Sequence, residues 1–234
     1  MNWINKNFDD KEVGELKAML IAVHGFSSSK ESFMLVQLAP ILKKHGIGLV
    51  ALDLPGHGSR IDEKLNIKDC LDAIAKVENE VKKIYKGKIS LTGSSFGGFL
   101  LLRYLHKNNN EYDRVILRAP ALEQINVWKY DQSEGGRELI ATLEKGQSAL
   151  QGKMIVEPSL LDDFFKFDIF NHLDIDDDVK IIYGSEDTTV SNKNIIKLAE
   201  MKNWEAFCID GADHFFRRPS DVKATGDFII DLFS

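Results

Sequence analysis

KISLTGSSFGGFL, residues 88–100, passes from a β-branched run through clustered glycine and serine straight into leucines. A short continuous apolar run reads as a buried strand and the leucine-rich continuation as a helix, so the two serines fall on the turn between them. Gly93-Ser94-Ser95-Phe96-Gly97 fits Gly-x-Ser-x-Gly with Ser95 at its centre. Centring the frame on Ser94 loses the glycine two residues earlier. In such a turn small neighbours let two backbones pass closely while the central side chain stands exposed. Alone, the pattern also describes any Gly/Ser loop before a helix, so its surroundings decide.

The surroundings alternate. AMLIAVHG (18–25), IGLVALDL (47–54), KISLTG (88–93), RVILRAP (114–120), VKIIYGSED (179–187) and EAFCIDG (205–211) are strand-like and end on Gly, Pro or Asp. Their apolar character is continuous rather than alternating, as in strands covered on both faces. Helical patterns fall near 31–45, 67–86, 95–107, 159–171, 191–201 and 219–233, with Ser191 and Ser220 as expected N-caps and Ser159 with Asp162 as a weak capping box. Alternating strand and helix predicts an α/β fold, a mainly parallel doubly wound sheet with helices on both faces. The whole chain, 1–234, reads as one domain. Only 121–158 interrupts the rhythm, and a connection that long inside a compact domain is usually functional; it is expected to form a short cap, with Trp128 and Tyr130 lining an acyl or aryl pocket.

Ligands of parallel sheets bind beyond the carboxyl ends of the strands. The residues there are His24-Gly25-Phe26, Asp53 to Gly58, Gly93 to Gly97, Asp187, and Asp213-His214. A serine hydroxyl needs a base to take its proton, and the base needs an acid to hold its tautomer. His214 follows the last strand and Asp187 the one before it. Among the nearby acids, Asp213 is the immediate neighbour of His214 and would diverge from it, Asp210 still belongs to the last strand, and Glu186 points away from whichever neighbour faces the site. Asp187 is therefore the expected acid. The order Ser95, Asp187, His214 is the one expected after a nucleophile elbow on a middle strand.

With HGF, DLPGHG, GSSFGG, YGSEDTTV and GADHFF in that order, the chain resembles the α/β-hydrolase superfamily over about residues 18–233, and within it the small bacterial serine esterases of the cinnamoyl and feruloyl type. The resemblance implies an oxyanion hole made by the backbone N–H groups of Phe26 and Phe96. It also implies a serine hydrolase that cleaves a carboxylic ester through an acyl-enzyme. Serine at 95, rather than Asp or Cys, argues against the dehalogenase, epoxide-hydrolase and dienelactone-hydrolase branches. Thioesterase, peptidase or carbon–carbon bond cleavage on the same scaffold is the alternative, and a non-catalytic ligand-binding protein of this fold is the alternative of another class. Two departures stand out: few residues precede the HGF strand, so the sheet edge is expected to be reduced, and the cap is short.

Other residues read as structural. His24 and His57 shape turns, Asp53 holds the Pro55-Gly56 turn, the aromatics of FFKFDIF (164–170) belong to helix core, and the acidic run Asp174, Asp176, Asp177, Asp178 is a solvated loop. Cys70 and Cys208 read as buried small hydrophobes. The chain has 234 residues, 44% hydrophobic and 28% charged, with net charge -6 and no basic stripe, which excludes phosphate-driven nucleic-acid binding. Two cysteines make no disulfide framework or metal motif, so neither cofactor nor metal is expected. With no signal-like apolar segment and no membrane-length run, a cytoplasmic enzyme acting on a small-molecule ester is expected, with no nucleic-acid or membrane partner.

Overall fold

The computed structural model describes residues 2–106, 111–123, 134–175 and 177–234. Its central layer is a seven-stranded sheet formed by β1 (Ile4–Lys6), β2 (Ala18–Val23), β3 (Ile47–Leu52), β5 (Ile89–Ser94), β6 (Val115–Arg118), β9 (Val179–Gly184) and β10 (Glu205–Ile209), in the order β1-β3-β2-β5-β6-β9-β10. All neighbours are parallel except β1, which runs antiparallel to β3 as a three-residue remnant at the edge. Every residue of β2 and β3 is buried. Each large aliphatic side chain enclosed in this way contributes about 1.5–3 kcal/mol. The chain steps from β2 to β3 on one side and to β5 on the other. The topological switch point therefore falls between β2 and β5, where the HGF and GSSFGG loops emerge.

Helices cover the sheet. α1 (Phe33–Lys44) packs on β3 and on α8 (Pro219–Asp231), while α2 (Ile67–Ile84) packs on α3 (Phe96–His106) and α5 (Pro158–Lys166). α2 shows why an amphipathic sequence makes a surface helix: Ile67, Cys70, Ile74, Val77 and Val81 are buried along one stripe, and Asn66 caps its start by accepting from Asp69 N–H at 2.8 Å. α4 (Glu134–Glu144), α6 (Ile169–His172) and α7 (Asn192–Lys202) complete the described helices. None is long and apolar enough to cross a membrane.

Several local expectations change. A three-stranded sheet, β4 (Lys64–Leu65), β8 (Met154–Val156) and β7 (Ala149–Gln151), is too short to show in sequence, and through β8 it ties part of 121–158 to the segment after β3. Ser220 is not the cap of α8: Pro219 takes the first helical position, and the Asp221 side chain accepts from Arg218 N–H at 3.1 Å. Ser159 likewise lies inside α5, whose first residue is Pro158. The expected helix over 159–171 breaks at Phe167, and Asp168 restarts it by accepting from Phe170 N–H at 2.9 Å. Cys70 is buried, but Cys208 is exposed on β10, the strand at the open edge of the sheet.

Candidate active site

Ser95 sits at the end of β5 with φ +52°, a left-handed backbone that non-glycine residues rarely adopt. Its position is held from three sides: Ser95 N–H donates to Arg118 O at 2.9 Å, and its own carbonyl accepts from Phe99 N–H at 3.2 Å and Ala121 N–H at 3.1 Å. The glycines around it are needed for close approach. A Cβ on Gly93 would lie 2.6 Å from the carbonyl oxygen of Gly97, and one on Gly97 would collide with the carbonyl oxygens of Val23 and His24. Only with both positions bare can α3 start tight against β2. The HGF turn abuts the serine, since a Cβ on Gly25 would come within 3.3 Å of Ser95 Cβ.

His214 lies in the loop after β10. Its Nδ1 is 2.7 Å from Asp187 Oδ2, and its Nε2 is 3.0 Å from Ser95 Oγ. A carboxylate can only accept, so Nδ1 carries the proton and Nε2 is left to accept from the serine hydroxyl. The Asp187 side chain is wholly buried, and its other oxygen accepts from the N–H groups of Thr189 at 2.8 Å and Val190 at 3.0 Å. The remaining acids near the strand ends do other work. Asp213 accepts from Phe215 and Phe216 N–H at 3.0 and 2.8 Å and so shapes the histidine loop, while Asp210 accepts from Ser185 Oγ at 3.1 Å.

The turn histidines are structural. His24 Nε2 accepts from Leu54 N–H at 3.1 Å, and His57 Nε2 accepts from Ser27 N–H at 3.1 Å. Burial pushes His24 down to about 3, and lowers His57 for the same reason. Asp53 is fully buried and binds more than its own turn: it accepts from Lys30 N–H and Nζ at 2.8 and 2.6 Å and from Ser59 N–H and Oγ at 2.9 Å. Burial alone would raise its carboxyl; these donors outweigh it and hold it below the usual carboxylate range. Phe164 packs edge-on against Phe99 at 5.5 Å, as expected of core, although Phe165 in the same run is exposed.

Arg118, the last residue of β6, was absent from the sequence expectations although its place at a strand end is itself the signal that should have singled it out. Its guanidinium donates from Nη1 to His214 O at 3.0 Å and from Nη2 to Ser94 Oγ. Burial pushes it down to about 10, against the pull of Asp187 and Asp213, so it remains a cation at neutral pH. Trp128 and Tyr130 lie outside the described residues. A cavity of about 270 Å³ opens at Ser95 and His214, with Phe26, Arg118 and Phe215 at its upper end.

A parallel sheet of this order with serine, histidine and acid delivered by its strand ends defines an α/β-hydrolase. Residues 14–160 match the family described as Hydrolase_4, serine aminopeptidase, S33, and the chain belongs to that family. Among solved structures it is similar to Est1E from Butyrivibrio proteoclasticus with ferulic acid bound (TM-score 0.77, 18% identity, covering 98% of this chain and 95% of that one). It is also similar to the mouse alpha/beta hydrolase domain-containing protein 10 (TM-score 0.70, 18% identity, 92% and 88% covered). These likenesses establish the fold. Protein ECM18 of Saccharomyces cerevisiae is 24% identical over 167 residues, which are 56% of this chain and only 36% of that relative.

Proposed function

We propose that the protein is a serine carboxylesterase in which Ser95 is the nucleophile, His214 the general base and then acid, and Asp187 the residue that orients and charges the histidine. The observation that carries this reading is the continuous hydrogen-bonded chain from Ser95 Oγ through His214 to Asp187 Oδ2. Ser95 Oγ attacks the ester carbonyl while its proton passes to Nε2, and the carbonyl oxygen becomes an oxyanion. The N–H groups of Phe26 and Phe96 receive that charge; the second opens α3, whose N-terminal dipole favours an anion. Each such donor is worth about 3–4 kcal/mol in the transition state. The imidazolium then protonates the leaving alkoxide. Water, deprotonated by the same nitrogen, attacks the acyl-enzyme carbonyl, and collapse returns Ser95 and frees the acid.

The same groups would serve thioester or peptide cleavage, and membership of a family described as serine aminopeptidases keeps peptides among the substrates to be tried. Residues 121–158 are read as a cap on a single domain, acting on a small-molecule ester in the cytoplasm. Intact-mass measurement after treatment with a fluorophosphonate tests the nucleophile: the wild type gains one adduct and Ser95→Ala none. Equal labelling of the two proteins would remove Ser95 from its role, and a panel of esters, thioesters and peptide amides then ranks the reactions.

A further inference from the structure

We propose that the substrate is an ester that also carries a free carboxylate, and that the Arg118 guanidinium binds this carboxylate in the cavity at Ser95. The proposal rests on Ser95 as nucleophile and names the substrate class of that same site.

Charge around the cavity runs against the charge of the chain. The protein has 36 acidic and 30 basic residues, yet the described lining of this cavity contains Arg118 and Arg217 and no Asp or Glu. A cleft lined by one sign of charge concentrates ligands of the opposite sign. Arg217 borders it with its side chain 66% exposed and its guanidinium over the ring of Phe215 at 4.1 Å. Arg118 stands within, between the nucleophile elbow and the histidine loop.

Arg118 is a cation without a counter-ion among the described residues. Asp187 and Asp213 attract it, but neither pairs with it. Asp187 gives its oxygens to His214 and to the N–H groups of Thr189 and Val190. Asp213 accepts from Phe215 and Phe216 N–H, with Arg217 at 3.8 Å. A desolvated charge is costly unless it is paired. Of the five N–H groups of the guanidinium, one goes to the His214 carbonyl and one to the Ser94 hydroxyl, which leaves three without an acceptor.

The Nε–H is one of those three, and it is not sealed away. The described side-chain atoms buried without a partner are Ser90 Oγ, Arg103 Nε, Asn192 Oδ1 and Thr225 Oγ1. Arg118 Nε is not among them, so it meets open space, and the space that Arg118 borders is this cavity. Arg118 is level with Ser94 across β5 and β6, one residue from the nucleophile, so a short linker joins its ligand to the attacked carbonyl. A planar guanidinium with free N–H groups matches a carboxylate, and the pairing is charge-assisted. One such cation balances one negative charge, which favours a carboxylate over a phosphate group with its charge of about −1.5 to −2.

Two pairs of esters read the cation directly. Within each pair a carboxylate is exchanged for an isopropyl group of similar shape. Monoethyl succinate and ethyl isocaproate differ in this way on the acyl side, and acetoxyacetate and isobutyl acetate on the alcohol side. Hydrolysis is followed by acid release at constant pH. In the wild type at least one carboxylate ester is expected to exceed its neutral partner in kcat/KM by about 10- to 100-fold. Arg118→Met should lower that ratio by a similar factor, and Arg118→Lys should restore part of it. A purely structural role for Arg118 would slow both members of a pair alike, and an unchanged ratio would overturn the proposal. Neutral partners hydrolysed as fast or faster by the wild type would overturn it too. Should Arg118→Met not fold, the wild type decides: succinate is expected to slow fluorophosphonate labelling of Ser95 at concentrations where isocaproate does not, and equal protection overturns the anion site. In each of these cases continued labelling of Ser95 leaves the nucleophile standing. Absence both of labelling and of hydrolysis of all four esters would overturn both readings.

Discussion

Arg118 Nη1 donates to the backbone carbonyl of His214 at 3.0 Å, which ties the end of β6 to the loop after β10 across the intervening β9. The same guanidinium reaches Ser94, so one side chain spans the elbow and the histidine loop. Arg118→Met would leave the His214 carbonyl without its donor, at a cost of about 1–3 kcal/mol and about 2–4 °C of melting temperature per kcal/mol in a chain of this size. Turnover of an activated ester is expected to fall about 10- to 100-fold, more than KM rises, and Arg118→Lys to recover part of it. Unchanged turnover in Arg118→Met would show that the loop holds His214 unaided.

The acids separate by function. Asp187 bonds to His214, whereas Asp213 bonds to the backbone of Phe215 and Phe216. Asp187→Asn is expected to lower turnover by about 10² to 10⁴ with the fold intact, since the amide favours the wrong tautomer. Asp213→Asn should cost less than about tenfold in turnover. Steady-state kinetics of the two variants decide, and the reverse ranking would reassign the acid.

Gly97 faces the carbonyl oxygens of Val23 and His24, neither of which can yield without moving β2. Gly97→Ala should therefore displace the start of α3, with Phe96 N–H on it and Ser95 immediately before it. Loss of fluorophosphonate labelling, together with a lowered melting temperature, is expected. A variant that labels at the wild-type rate would mean the elbow tolerates the shift.

Acid should loosen the fold through its buried histidines. In the unfolded chain His24 takes a proton near its ordinary 6.5, whereas in the folded protein burial delays this to about 3. The unfolded state thus binds more protons between these values, and stability rises with pH across the window by up to about 1.4 kcal/mol per unit for this group. His57, lowered in the same direction, adds to it. Asp53 acts elsewhere: its lowered carboxyl keeps its contribution above 3.8 and loses it only as the pH falls further. Urea midpoints at pH 7, 6 and 5 are expected to decline, and His24→Gln to flatten that decline. Parallel curves for the two proteins would exclude His24 as the source.

Local chemistry is what one sequence can carry. The β-branched runs placed the central strands because burial on both faces leaves a continuous apolar signature, and GSSFGG marked Ser95 because only glycine fits where two backbones touch. Asp187 and His214 were legible from their places after successive strands, and the structure brings both within hydrogen-bond distance of their neighbours. Other features depended on what lies beside a residue rather than along the chain. Cys208 is exposed because β10 has no neighbour on one side, a matter of strand order that its apolar sequence does not record. The sheet of β4, β7 and β8 joins segments of two and three residues some ninety positions apart, too short for a periodic signal. Arg118 became part of the site only when the order β6-β9-β10 brought its guanidinium to a carbonyl distant in sequence. The cavity at Ser95 draws its lining from β2, β3, β5, β6 and β9 together with α1 and α8, elements far apart in sequence. Residue type and spacing specify which groups are buried and which turns are possible; the distances between groups on different strands are set by register and packing, which exist only once the chain has closed on itself.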